Sequence, residues 1–196
     1  MTSLASTDAL ETRLGRTLST TESDRAEALL ADASAAIRHY TGQQFDLATT
    51  TDRLWVRRNR VLLPQRPVND VTAVTGTDGA DVTYLWHGAG FDHLYLGTTT
   101  LVTTTTQRRT HAVVDVTYSH GYDQVPDDVI AVCCSVALRT FGVEPDSTGM
   151  QSENIEGYSY TLGTVAAAGS AGLLPEEKRA LDVYRRTVGF IDGGRL

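Results

Sequence analysis

Apolar residues recur every three to four positions in four stretches of this chain. Between the second and third stretch the period drops to two. Residues 7 to 14, TDALETRL, predict a short helix with Thr7 or Asp8 as cap, Leu10 and Leu14 on one face and Gly15 as the stop. LSTTESDRAEALL opens a second helix, with Thr21 and Asp24 in the places of a capping box. Ala26, Leu30, Ala33, Ile37 and Tyr40 form its stripe and Gly42 ends it, roughly five turns on. The stretch 117 to 141, TYSHGYDQVPDDVIAVCCSVALRTF, reads as a strand end, a turn at Gly121 and a third helix. Pro126 suits that helix's first turn, and Asp127 and Asp128 sit where the helix dipole favours negative charge. Val129, Val132, Cys133, Val136, Ala137 and Phe141 recur at helical spacing, with Ile130, Cys134 and Leu138 on the other side. A helix apolar on most faces is a buried one. A last helix begins near Pro175 with the stripe Leu181, Tyr184 and Val188.

From Asp52 the alternation is that of strands: Arg53, Trp55 and Arg57 face one way, Leu54 and Val56 the other. Further runs are Val61 to Leu63, Val68 to Thr75, Val82 to Trp86, Leu94 to Leu96 and Ala112 to Tyr118, with Asp78-Gly79 as a hairpin signal. Ile155, Tyr158, Tyr160 and Leu162 suggest a late hairpin turning at Glu156-Gly157, followed by a small-residue linker, TVAAAGSAG. The expected fold class is α+β: a four-helix body with an inserted small antiparallel β-domain and a flexible C-terminal tail. The body takes 1–50 and, through its central helix, 120–145. The β-domain takes 51–119, the hairpin and linker 146–170, and the last helix and docking tail 171–196.

Composition narrows the function more by exclusion. The chain has 196 residues, 41% hydrophobic and 21% charged, which suits an ordinary globular protein. Its net charge of −7 argues against bulk attraction to nucleic acid or an anionic membrane, and no stretch has the length of a membrane span. The N-terminus lacks the basic and apolar regions of a signal peptide, so the chain is expected to stay in the cell that makes it or in something assembled there.

Cys133 and Cys134 are helical neighbours that point apart and read as small buried hydrophobes. Among the histidines, His87 and His93 could meet across a hairpin but lack carboxylate or thiol partners for a metal. TDGAD at 77 to 81 lacks the later glutamate of a calcium loop, and GSAG at 169 to 172 has no strand leading into it. His120 with Asp123, Asp127 and Asp128 is the nearest approach to an acid–base cluster, and turn and cap duties explain those residues. No catalytic residue, cofactor or metal is expected. A hydrolase or binding domain built on that cluster is the remote alternative. Arg53, Arg57, Arg58, Arg60 and Arg66 make a basic face, read as the solvated side of an edge strand before a site for an acidic partner or DNA phosphates.

The order LETRLGRTLSTTESDRAEALLADASAAIRHYTGQQF, then VLLPQRPVNDVTAVT, then VDVTYSHGYDQVPDDVIAVCCSVALR, then AGLLPEEKRAL resembles the head-to-tail adaptor (connector) proteins of long-tailed bacteriophages, and among them those of actinobacterial phages. The resemblance implies a structural virion protein at the head–tail junction, assembled in the host cytoplasm. It implies a ring of about twelve copies between the portal protein and the next neck protein, extending a channel that DNA crosses without sequence-specific binding. It makes Arg185, Arg186, Phe190, Ile191, Arg195 and Leu196 candidates for portal contact. The late hairpin, with Glu153, Ile155, Tyr158 and Tyr160, becomes a candidate for strand addition between subunits. A head-closure (stopper) or tail-completion protein of the same neck is the alternative. Stoppers tend toward β-barrels, and four predicted helices favour the adaptor.

Overall fold

The structure, a computed structural model, describes residues 2–97, 113–142, 152–155, 158–161 and 172–185. The Thr-rich stretch at 98 to 106, the linker and the chain beyond Arg185 lie outside the described residues. The chain divides into two units: Met1–Thr41 with Val125–Arg185, and Gly42–Gln124 with Arg186–Leu196.

The first unit holds four helices, α1 (Thr7–Leu14), α2 (Thr20–Thr41), α3 (Asp127–Phe141) and α4 (Pro175–Leu181). It also holds the hairpin of β7 (Ser152–Ile155) and β8 (Tyr158–Thr161), paired antiparallel as expected. The stripes close its core. Leu10 from α1, Leu30 and Ile37 from α2, Val129 and Val136 from α3, and Leu181 from α4 are all buried. Small residues at the α2–α3 contact let the backbones approach, with Cys133 Sγ 3.5 Å from Ser34 Oγ. Both cysteines are free and buried, and burial pushes the Cys133 thiol up to about 11. The residues before α1 are tied to α2: Leu4 N–H donates to Ser34 Oγ at 2.9 Å, and Arg38 donates to the Thr2 carbonyl at 2.8 Å.

Four helix ends differ from the sequence expectation. Ser6, rather than Thr7 or Asp8, caps α1 by accepting the Ala9 N–H at 3.2 Å. The reciprocal box of α2 is Ser19, the residue just before its start, with Glu22, rather than Thr21 with Asp24. In that box the Ser19 N–H donates to Glu22 Oε2 at 2.9 Å, and Arg16 adds a second grip on the same carboxylate at 2.6 Å. Hydrogen bonds from Arg16 and Ser19 hold the Glu22 carboxyl down at about 2. Glutamate reaches back to the cap where aspartate is too short. Pro126 stands just outside α3 as its N-cap, with extended ψ of 140°. The fourth helix stops at Leu181 and continues only as a 3-10 turn, Asp182–Tyr184, so its stripe does not run on as one α-helix through Tyr184.

The second unit is two three-stranded antiparallel sheets. One has the order β1–β6–β3 (Ala48–Trp55, Val113–His120, Val68–Gly76), the other β2–β5–β4 (Arg60–Leu62, His93–Leu96, Tyr84–Trp86). The alternation read from Asp52 holds, but β1 begins four residues earlier, through Ala48 and the Thr49–Thr51 run. Strand β6 alternates without a break: Val114, Val116, Tyr118 and His120 are fully buried while their neighbours are half-exposed. Apolar side chains from both sheets, among them Val61, Leu94, Val71 and Val116, fall into one cluster. Tyr118 crosses this core and donates to Asp52 Oδ2 at 2.7 Å, which with desolvation raises its hydroxyl pKa.

Asp78-Gly79 does make a turn, with Gly79 at φ 79° and Gly76 N–H bonded to the Ala80 carbonyl at 2.8 Å. It returns the chain past β3 only through Val82, after which β4 joins the other sheet. A second tight turn had no such signature. Arg58 and Asn59 take φ of 52° and 60°, and Arg57 and Arg60 exchange two 2.9 Å backbone bonds around them. That is the left-handed pair a two-residue hairpin requires, made without glycine.

Gly121 ends β6 at φ 95°. Its N–H donates to the Pro67 carbonyl at 3.0 Å, and its own carbonyl accepts from Asn69 Nδ2 at 2.9 Å. A Cβ here would collide with the Asp46 carbonyl oxygen and lie 3.1 Å from Leu47 N. Gly121→Ala therefore adds both a clash and a left-handed backbone cost, expected to remove about 3 kcal/mol of stability. Urea denaturation with a midpoint unchanged from wild type would refute this.

Candidate interaction surfaces

The β2–β5–β4 sheet buries one face and turns the other to solvent. Inward go Val61, Leu94 and Leu96; outward go Arg60, Leu62, Tyr95 and Leu85. Register places Arg60 opposite Tyr95 and Tyr95 opposite Leu85, with Leu62 opposite His93 in the next row. The Arg57–Arg60 bridge extends the first row by one more residue. Around Tyr95 and His93, whose rings are 5.5 Å apart, stand His87 and Phe91, each within 6.1 Å of a neighbouring ring. Trp86 Nε1 donates to the Phe91 carbonyl at 3.0 Å and fixes the loop that presents Phe91. Leu85 is 58% exposed and Trp55, on the outer side of β1, is 63% exposed. Sequence reading gave Leu94 to Leu96 only as a strand and assigned neither of its faces. The signal was there: a strand with large residues at both parities has two faces to cover.

The basic residues of the sequence reading are distributed around that sheet. Arg53 makes a bidentate pair with Asp115 on the adjacent strand, at 2.8 and 3.0 Å, which lowers the Asp115 pKa. Arg57 and Arg60 flank the hairpin and Arg58 is at its tip, all three exposed. Arg66 faces Asp92 at 3.5 Å, and Asp92 also holds His93 Nδ1 at 3.0 Å. His93 thus has one carboxylate neighbour while His87 lies among rings. No group of three His, Cys, Asp or Glu among the described residues could hold a metal.

The acid–base candidates are employed in structure. His120 is fully buried against the Tyr118 ring, 5.4 Å away, and desolvation lowers its pKa. Asp128 accepts from Tyr184 Oη at 2.8 Å and from the Val129 N–H at 2.9 Å. Asp123 lines an open groove of about 800 Å³ with Leu47, Asn69, Ser119, Gly121 and Tyr122, as its one carboxylate.

Toward the C-terminus, buried Glu177 and half-buried Arg139 form an ion pair at 2.8 Å. Glu177 also accepts from Ser135 Oγ at 3.1 Å and from the Leu174 N–H at 2.8 Å, while Arg139 donates to the Gly172 carbonyl at 2.8 Å. This ties α4 and the segment before it to α3. Burial alone would raise the Glu177 carboxyl, but Arg139 and the Leu174 N–H hold it below its ordinary value. Arg185 is exposed, its guanidinium 5.3 Å over the Tyr40 ring, and Tyr40 Oη donates to Asp182 at 2.6 Å. Of the other portal candidates, Arg186, Phe190, Ile191, Arg195 and Leu196 lie outside the described residues. Glu153, Ile155, Tyr158 and Tyr160 sit on β7 and β8, whose side chains are likewise outside the description.

The described surface thus carries an aromatic sheet face rimmed by arginine, and a last helix pinned to α3. The model of a family described as head completion protein matches residues 6–187, nearly the whole chain, and the chain belongs to that family. The family's description is that of a structural protein that completes the head. No curated protein matches the sequence. Among matching solved structures is one titled "Neck of native GTA particle computed with C12 symmetry", 16% identical, covering 86% of each chain at a TM-score of 0.46.

The Glu177–Arg139 pair yields a stability prediction. Removing Glu177 leaves the half-buried Arg139 guanidinium without its carboxylate, so Glu177→Leu is expected to cost about 2 kcal/mol, and adding Arg139→Met to recover much of it. Because the folded-state pKa of Glu177 is depressed, its contribution is complete above the ordinary glutamate range and lost as pH falls through the lowered folded value. Denaturation of both variants at pH 7 and across the acid limb checks this. A double variant no more stable than Glu177→Leu would argue against the pairing.

Proposed function

We propose that this head completion protein is the head-to-tail adaptor: copies form a ring of about twelve below the portal. They join it to the next neck protein and continue the DNA channel. The observation that carries the reading is the helical unit, in which α2 packs on α3 while the β-unit is inserted between them in sequence. That is the element order of the adaptor resemblance, and it differs from the β-barrel expected of a stopper. A net charge of −7 suits a conduit that DNA must slide through without adhering.

In this reading Arg185, Arg186, Phe190, Ile191, Arg195 and Leu196 meet the portal. Support comes from Arg185, which α2 and the 3-10 turn hold through Tyr40 at the last described position. The β7–β8 hairpin adds to a neighbouring subunit by strand pairing. Among the described residues those two strands pair only with each other, which leaves an outer edge on each. The stopper reading differs in one measurable respect: a stopper joins the neck after the adaptor and needs no affinity for a bare portal.

Co-sedimentation with purified portal rings tests the assignment, comparing the full chain with one ending at Val188. Full-length binding with loss on truncation is the expected result and puts the anchor in Gly189 to Leu196. Binding by both keeps the adaptor and moves the anchor. Binding by neither overturns the adaptor in favour of the stopper.

A further inference from the structure

The outer face of the β2–β5–β4 sheet has no role in the reading so far. Its first row runs Arg57, Arg60, Tyr95, Leu85, and its second sets Leu62 beside His93. A solvated antiparallel face is normally polar. This one has an aromatic and aliphatic centre with arginine at one end, which is the composition that protein contacts favour. Single-stranded nucleic acid also stacks on exposed rings. Here Leu62 and Leu85 occupy positions that stacking would not use, and a chain of net charge −7 repels a polyanion.

Charge selects the occupant. Arg57, Arg58 and Arg60 rim the face, so its partner should be acidic, and the chain itself is acidic. The exposed side of α2 offers Asp24, Glu27 and Asp32, which helical geometry places within an arc of roughly 140°. The two patches lie on different units of the chain, basic on one and acidic on the other. A contact between unlike patches of identical copies is head-to-tail, the kind that propagates into a ring when its rotation closes.

We propose that the outer face of β2–β5–β4 docks on the acidic outer side of α2 in a second copy of this chain. The proposal rests on the ring reading above and names the surfaces that make the ring. Tyr95 and Leu85 supply its apolar centre, and Arg58 and Arg60 meet Asp24 and Glu27 at its rim.

Sedimentation velocity of the full chain, alone over a concentration series and mixed with portal rings, reads assembly. Arg58→Glu/Arg60→Glu and Asp24→Arg/Glu27→Arg each place like charges across the contact. Each is expected to raise the concentration for half-assembly at least about tenfold. An equimolar mixture of the two variants alternates complementary faces and is expected to assemble as wild type does. Leu85→Asp is expected to lose assembly without rescue, and thermal melting confirms that each variant is folded. The proposal is overturned if either charge variant assembles normally alone, or if the mixture stays dispersed while wild type assembles. A charge variant that assembles but loses retention on a single-stranded oligonucleotide would overturn it in favour of nucleic acid. A wild-type chain that stays monomeric in every sample, portal rings included, removes the ring reading and this contact with it.

Discussion

The pairing of β6 with β1 on one side and β3 on the other is the constraint on which the β-unit depends. Eight residues of β6, Val113 to His120, register against Ala48 to Trp55, and seven of them, Val114 to His120, against Val68 to Gly76. A slip of one residue would turn Val114, Val116, Tyr118 and His120 outward and expose the core. Two polar ties hold the register against β1 where hydrophobic contact alone is indifferent to direction. Tyr118 reaches Asp52 across the buried face, and Arg53 grips Asp115 across the exposed one. Gly121 then ends the strand against the Asp46–Leu47 backbone, so the strand's exit is as closely specified as its path.

The helical unit is held in a different way. Its core is made of small and medium side chains at the α2–α3 contact, so specificity falls to a few polar groups buried among them. Ser34 accepts the Leu4 N–H, and Arg38 donates to the Thr2 carbonyl, which pins the chain's beginning. Glu177 and Arg139 do the same for α4. A seven-residue helix has little stability of its own, so its position comes from such tertiary ties.

For a protein whose work is assembly, surfaces matter more than pockets. The same physics that makes an alternating strand bury one face leaves the other to be used. In β2–β5–β4 the second face is apolar too, with arginines at its edge. An acidic chain with a basic, aromatic patch has a built-in reason to meet other copies of itself, since self-repulsion elsewhere narrows contact to the places where the sign changes.

Periodicity was enough to find the four helices, the stripes of the first three, the alternating strands and the paired β7–β8 hairpin. Those patterns are local: burial of one face imposes period 3.6 or 2 wherever it occurs. Helix caps were legible in kind but misplaced by a residue or two, because Ser19 with Glu22 and Thr21 with Asp24 differ only in side-chain reach. The Arg58-Asn59 turn left no mark, since neither residue advertises a left-handed backbone as glycine does. Which strands share a sheet, and hence the row Arg57, Arg60, Tyr95, Leu85, was decided only by tertiary structure. Those residues come from three strands and the turn before β2, spread over nearly forty positions, and pairing at that separation is set by the core they jointly bury, which no local pattern encodes.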